Sequence, residues 1–401
     1  RQFETILEAF PEHIDTMLAL GIHMAALGNY DDAVRWTEKA LAIRPKSIPA
    51  NVQLTRILLQ SGQRERALEI AKAAETWAPE DNRILTILAR SYIANQRPKL
   101  ARAALRQAAT DAGYDVSSLL QIATLQAEAG AWDDANWSLQ KLLKEQPDLV
   151  TARVKLVETL IMQGRLDQAA ASAAKLKDDF PAHPSGSGLL GEIAERAGDL
   201  SAAADHFKDA LEVAPQDRAA VRYYQVRNQL DDERAGPWLE DWVSRYPQHL
   251  GTRRALAEHY QATGNLEAAR DIYVGLTRLP EGHDAYTWNN LANVLQAMGD
   301  PGAREAAERA KAMAPDDPSV NDTLGWILIQ EDRDTEGLAL LRNAQSRQSE
   351  NPIIRYHLGV ALQKLGRNRE ALRELEFAAS SGIDFGGLND ARKRIAQLKE
   401  Q

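Results

Sequence analysis

The sequence predicts an all-α protein, an α-solenoid of about eleven tandem helix-turn-helix units closed by a C-terminal cap helix. Three observations predict it. Turn residues recur 34 apart at Gly28, Gly62, Gln96, Gly130, Gly164 and Gly198. Closing residues keep the same step at Pro11, Pro45, Pro79, Gly113, Pro147, Pro181 and Pro215. Between these markers apolar residues follow helical spacing, as in Met17, Leu20, Gly21 and Met24, an i, i+3, i+4, i+7 stripe on one face. A length of 401 residues would otherwise suggest two or three globular domains. A sustained period removes that reading, because repeat chains grow by stacking units that cover one another's apolar faces.

The stretch Gly191 to Pro215, GEIAERAGDLSAAADHFKDALEVAP, shows what each position does. Glycine at the turn ends the first helix and permits a sharp reversal. Proline stops the second helix by removing a donor. Small residues lie where the two helices must touch, at Gly191, Ala203 and Ala210, with Phe207 as the one large plug. An alanine stands five residues after each turn position, at Ala33, Ala67, Ala101, Ala135, Ala169 and Ala203. Asp31, Asp32, Asp133, Asp134 and Asp167 follow the turns and favour the positive end of the next helix.

The units start near residues 14, 48, 82, 116, 150, 184, 218, 250, 285, 318 and 352. Residues 1–13 read as the second helix of a repeat whose first helix lies upstream, 14–217 as units one to six, and 250–384 as units eight to eleven. Unit seven, 218–249, is two residues short and carries Tyr223, Tyr224, Trp238, Trp242 and Tyr246. It is either a hinge between two blocks or a locally different packing. Unit three lacks the turn glycine, and unit nine places Pro301 in its turn. Gly382, Gly386 and Gly387 precede a cap helix in 385–401, apolar at Leu388, Ile395 and Leu398; its Arg392, Lys393 and Arg394 read as a solvated face.

Composition narrows the function class. A formal charge of −9 argues against wrapping nucleic acid, which needs a basic face. The absence of cysteine removes disulfides, thiolate nucleophiles and cysteine zinc sites. No apolar run approaches the roughly 20 residues that span a bilayer. The eight histidines are scattered without H-E-x-x-H spacing, and neither a phosphate-binding G-x-x-x-x-G-K nor a G-x-S-x-G elbow occurs. No catalytic residue, metal site or cofactor is expected.

The markers together resemble the tetratricopeptide repeat: unit six carries Gly191, Ala203, Phe207, Ala210 and Pro215 at that repeat's positions. The resemblance implies a right-handed superhelix whose first helices line a concave groove. Its ninth-position lane here is Ile22, Arg56, Arg90, Thr124, Glu158, Glu192, Glu258, Asn293, Trp326 and Val360. That lane is basic early, acidic in the middle, and amide and aromatic late. The late patch joins Asn289, Asn293 and Gln296 to Asp322, Trp326 and Gln330, with Tyr356 and Gln363. Amides offer paired donors and acceptors, and Trp326 a flat apolar platform, suited to an extended peptide or a sugar chain. Packing between repeats is the alternative role for Trp326. Asn289 and Asn293 partly mimic the family's carboxylate clamp, but Ser319 and Thr323 stand where lysine and asparagine are expected.

Two passages, 319–344 with D-T-L-G-W and 353–378 opening I-I-R-Y-H-L, resemble the tetratricopeptide lipoproteins of PEP-CTERM/exosortase systems (PrsT-type). That resemblance implies a bacterial envelope location, in the periplasm, with a lipidated cysteine in an upstream part and a role in exopolysaccharide or surface-protein export. The expected function is therefore a non-catalytic protein-interaction scaffold. The alternatives are a carbohydrate-binding solenoid, a targeting arm of a larger enzyme, and a cytoplasmic location.

Ala203→Leu is expected to overpack its helix crossing and cost on the order of 1–3 kcal/mol. Hydrogen exchange should loosen only around unit six, since coupling in such chains runs between neighbours; uniform loosening from end to end would contradict a solenoid.

Overall fold

The computed structural model describes residues 2–113 and 115–400; Arg1, Tyr114 and Gln401 lie outside the described residues. Among the described residues there are twenty-four α-helices and no strand. Helix α1 (Gln2–Ala9) precedes six pairs: α2 (Ile14–Ala26) and α3 (Tyr30–Ile43); α4 (Ile48–Gln60) and α5 (Arg64–Glu75); α6 (Asn82–Ala94) and α7 (Pro98–Asp111); α8 (Val116–Glu128) and α9 (Trp132–Glu145); α10 (Val150–Met162) and α11 (Leu166–Asp179); α12 (Ser185–Arg196) and α13 (Leu200–Val213). Five further pairs follow: α14 (Asp217–Gln229) and α15 (Ala235–Arg245); α16 (Leu250–Ala262) and α17 (Leu266–Thr277); α18 (Ala285–Ala297) and α19 (Ala303–Met313); α20 (Pro318–Gln330) and α21 (Asp334–Arg347); α22 (Pro352–Lys364) and α23 (Asn368–Ser380). A 3-10 turn, Pro280–Gly282, precedes α18, and α24 (Leu388–Lys399) ends the chain described. No described helix is long and apolar enough to cross a membrane.

The chain divides into two compact units, Arg1–Pro215 and Gln216–Gln401. Within each, a helix packs on its partner and on the first helix of the next pair, as an α-solenoid requires. The core is correspondingly serial. In the first unit one apolar cluster runs from Leu68 to Ala152, flanked by smaller ones around Leu54 and Leu160. In the second, clusters centred on Tyr224, Tyr273 and Tyr356 follow in chain order.

Every pair turns through one residue in the left-handed region, with φ between 53° and 83°. Eight of these eleven residues are glycine; Gln96, Asp231 and Asp332 hold the same conformation at φ 56°, 53° and 60°. The missing glycine of unit three therefore leaves the turn geometry intact and loads it with backbone strain instead. The residues five after the turn are sealed: Ala33, Ala67, Ala101, Ala135, Ala169 and Ala203 are all at 0% exposure.

Within a pair, bulk on one helix is matched by its absence on the other. A Cβ on Gly191 would lie 2.7 Å from Phe207 Cδ1, one on Gly359 2.7 Å from Leu375 Cγ, and one on Gly325 2.9 Å from Leu341 Cγ. Where both facing residues are small, at Gly21 and Thr37, Gln53 of the next pair fills the gap: its Nε2 donates to Leu18 O at 2.8 Å and to Thr37 Oγ1 at 3.1 Å.

First helices are capped by side chains that the sequence reading did not single out. Asp81, Asp115, Asp284, Asp317 and Asn351 accept from backbone N–H groups of the helices they precede. Helix α16 follows His249, which makes no such bond; Asp217 of the preceding pair caps it instead, accepting from Gly251 N at 2.6 Å and Thr252 N at 2.8 Å. The acidic residues read as favouring helix starts do lie in first turns, Asp31 and Asp32 in α3, Asp133 and Asp134 in α9, Asp167 in α11.

Gln96→Gly is expected to stabilise the third pair by about 0.5–1 kcal/mol, the relief of left-handed strain exceeding the added chain entropy. Gly62→Gln, whose Cβ would meet nothing within 4 Å, should shift the urea midpoint in the opposite direction.

Candidate functional site

The first helices of the last pairs in the second unit enclose a groove of about 440 Å³. Helix α18 contributes Tyr286, Asn289, Asn290 and Asn293, the start of α20 contributes Asp317, Ser319, Asp322 and Thr323, and the start of α22 contributes Asn351, Ile353 and His357. The lining holds two carboxylates and neither lysine nor arginine. Such a site repels a terminal carboxylate or an acidic polymer and suits a neutral or cationic guest.

Most polar groups here are already engaged. Asp317 accepts from Ser319 N at 2.8 Å and Val320 N at 3.1 Å, and Asn351 from Ile353 N at 3.0 Å. His357 Nδ1 lies 2.9 Å and 3.0 Å from the two oxygens of Asp322. Tyr286 donates its hydroxyl to Glu258, and Asn290 Nδ2 to Tyr286 O at 3.1 Å. Burial and then the Glu258 contact push the Tyr286 hydroxyl up to about 12, so it stays a donor. Arg254 pairs with Asp284 behind this row, its guanidinium 5.6 Å from the Tyr286 ring.

Two carboxamides are different. Asn289, only 9% exposed, has a buried Oδ1 with no hydrogen-bond partner, and neither it nor Asn293 makes a side-chain hydrogen bond among the described residues. They stand four residues apart on α18, one above the other on the same face. A buried acceptor left unmatched costs free energy, which a rotation of the carboxamide that turns Oδ1 toward an incoming N–H donor would recover.

The rest of the late patch is placed elsewhere. Trp326 is half-buried and does not offer an open platform: the His357 ring stacks on it, centroids 4.2 Å apart at 14°. Tyr356 is buried and turns to the cap helix, donating to Asp390 Oδ2 at 2.9 Å beside Phe385, and Gln363 accepts from Arg394 Nη1 at 2.8 Å. Gln296 and Gln330 bond each other at 3.0 Å. Thus Asn289, Asn293 and Asp322 come together, while Trp326, Tyr356, Gln363, Gln296 and Gln330 serve contacts between neighbouring helices. His357, Tyr286 and Asn290 were not singled out from the sequence. Their signal was polar or aromatic residues at the second, sixth and sixth places of units nine and eleven, a row that only adjacency makes meaningful.

In the first unit Arg56 and Arg90 are exposed and form no ion pair among the described residues. Glu158 lies 3.8 Å from Lys155, and Glu192 3.9 Å from Arg196. In the second, Glu258 is taken by Tyr286. The aromatics of unit seven form a column: Tyr223 to Trp238 at 4.7 Å, Trp238 to Trp242 at 5.3 Å, Trp242 to Tyr246 at 4.5 Å, and Tyr246 to His249 at 5.3 Å. His249 and His259 do not meet; His259 bonds Tyr224 at 3.0 Å over the bare Gly236. Among the described residues no three histidines or carboxylates are placed to hold a metal ion.

Three family models described as tetratricopeptide repeat match residues 244–382, residues 37–91 and 126–193, and residues 1–48 and 173–218. The TPR repeat-containing protein PA4667 of Pseudomonas aeruginosa is 26% identical over 215 residues, covering 49% of this chain; the match spans 35% of that relative. Among solved structures, the Cut9–Hcn1 APC/C hetero-tetramer matches at 13% identity and TM-score 0.47, covering 97% of this chain and 90% of that one. Naa15/Naa10 bound to HypK-THB matches at 16% and 0.38, covering 96% and 66%. A tetratricopeptide repeat protein from Parabacteroides merdae matches at 18% and 0.39, covering 56% and 89%.

The Tyr356 hydroxyl is pushed up to about 12, first by burial and then by Asp390. A raised value means that its contribution is whole below the ordinary tyrosine value of 10.0 and fades as pH rises through about 12. Tyr356→Phe should cost about 1 kcal/mol, speed amide exchange in α24 alone, and leave α24 without the alkaline loosening that the unchanged protein shows.

Proposed function

The chain belongs to the tetratricopeptide repeat family, and on that premise we propose that it is a non-catalytic protein-interaction scaffold whose second unit holds an extended partner segment in the groove of α18, α20 and α22. The observation that carries this reading is the unmatched Asn289 carboxamide beside Asn293. Two carboxamides one helical turn apart present donors and acceptors in the sense that a peptide main chain needs. A carbohydrate guest is less well served, since stacking on Trp326 is blocked by His357. The acidic lining adds a preference for a neutral or basic segment.

For the setting we propose assembly or export of bacterial exopolysaccharide or surface protein at the cell envelope. What supports it is the likeness of residues 319–344 and 353–378 to the exosortase-system lipoproteins. Affinity purification from envelope fractions that recovers no export or sorting component would remove this assignment and leave the scaffold reading intact.

A displayed library of random twelve-residue peptides, selected on the whole chain and titrated by calorimetry, tests the groove. Asn289→Leu is expected to weaken groove-selected peptides about tenfold or more, the cost of one to two lost buried hydrogen bonds. N-methylation of the peptide main chain should do the same. Equal affinity for the unchanged protein and for the Asn289→Leu and Asn293→Leu variants would overturn the proposal.

A further inference from the structure

The first unit contains a second and chemically different cavity. The first helices of the fourth and fifth pairs, α8 and α10, and the helix α9 between them leave a gap on their shared face. The gap is a cup of about 270 Å³, walled by Ala123, Ala127, Trp132, Leu139 and Met162. Beside it α9 and α10 are tied together: Asn136 of α9 donates to Gln163 Oε1 at 2.8 Å and accepts from Thr159 of α10. Met162 is 55% exposed at the mouth.

The rim is acidic. Glu128 and Glu158 line it with Lys155, and Glu192 stands on the next first helix, where its neighbour Arg196 reaches Met162 Sδ at 3.8 Å. The sign is local, since the same lane is basic at Arg56 and Arg90. A volume below the roughly 300–1,000 Å³ of small-molecule pockets fits one large apolar side chain, and such a buried anchor is what concentrates binding energy in peptide recognition.

We propose that this cup docks a partner protein through one large apolar side chain, leucine, methionine or phenylalanine, with lysine or arginine beside it to meet Glu128 and Glu158. The proposal rests on the scaffold reading but not on the groove of the second unit. Its occupant is chosen by apolar shape and opposite charge, whereas the other groove is chosen by main-chain hydrogen bonds.

The peptide library on the whole chain tests it. Ala127→Phe fills the cup from its half-buried wall, and Glu158→Lys reverses the rim; circular dichroism and the thermal midpoint confirm that each variant is folded. One class of selected peptides should carry a large apolar residue within two positions of lysine or arginine. Ala127→Phe should weaken that class by about tenfold or more, as loss of an anchor does. Glu158→Lys should turn selection toward aspartate and glutamate flanks. Asn289→Leu should leave this class unchanged. Absence of such a class, or its binding to folded Ala127→Phe and Glu158→Lys with unaltered affinity, would overturn the cup while leaving the groove standing. Loss of the class in Asn289→Leu would show that the peptides sit in the other groove, and would overturn it equally.

Discussion

The volume shared by two facing side chains at each helix crossing is the constraint on which the rest depends. A first helix can lie against its partner only if their summed bulk at the crossing stays near constant. Gly191 faces Phe207, Gly325 faces Leu341 and Gly359 faces Leu375, each without room for a Cβ. The same complementarity runs through Ala89 with Leu105, Ala123 with Leu139 and Ala257 with Tyr273, all buried in common clusters. Because the crossing fixes how a pair sits, it fixes the surface offered to the next pair. At the crossing of Gly21 with Thr37 the missing volume is supplied by Gln53 of the next pair, across the boundary between repeats.

The turn adds a backbone constraint of its own. Left-handed φ is present at all eleven turns, including the three without glycine, so the fold demands the conformation and glycine is only its least strained supplier. Capping follows a different logic. Most first helices carry their own cap residue, but α16 takes its cap from Asp217 a full repeat earlier. A lost local signal is thus replaced by a tertiary one, supplied from the pair that also carries the aromatic column of Trp238, Trp242 and Tyr246.

The two cavities arise from the same architecture by opposite means. In the second unit, polar residues near the starts of three consecutive first helices gather into a groove whose hydrogen-bonding groups are mostly engaged, leaving two carboxamides over. In the first unit, α8, α9 and α10 leave apolar walls uncovered beneath a rim that carries Glu128, Glu158 and Lys155. Scaffold surfaces of this kind differ by what the repeats fail to share.

The sequence by itself determined the all-helical repeat, its period, the turn positions of the first six pairs and the sealed alanines. These are legible because they are local: helix propensity, turn conformation and small-residue spacing act within one repeat. It also singled out Asn289, Asn293 and Asp322. Only the tertiary structure decided that His357 covers the face of Trp326, that Tyr356 and Gln363 hold the cap helix through Asp390 and Arg394, and that Asn289 is left unmatched. It alone showed the cup lined by α8, α9 and α10. Each of these depends on which side chain of one repeat meets which of the next, about 34 residues away. Spacing places such residues on a common face; rotamers and the packing between pairs choose among them.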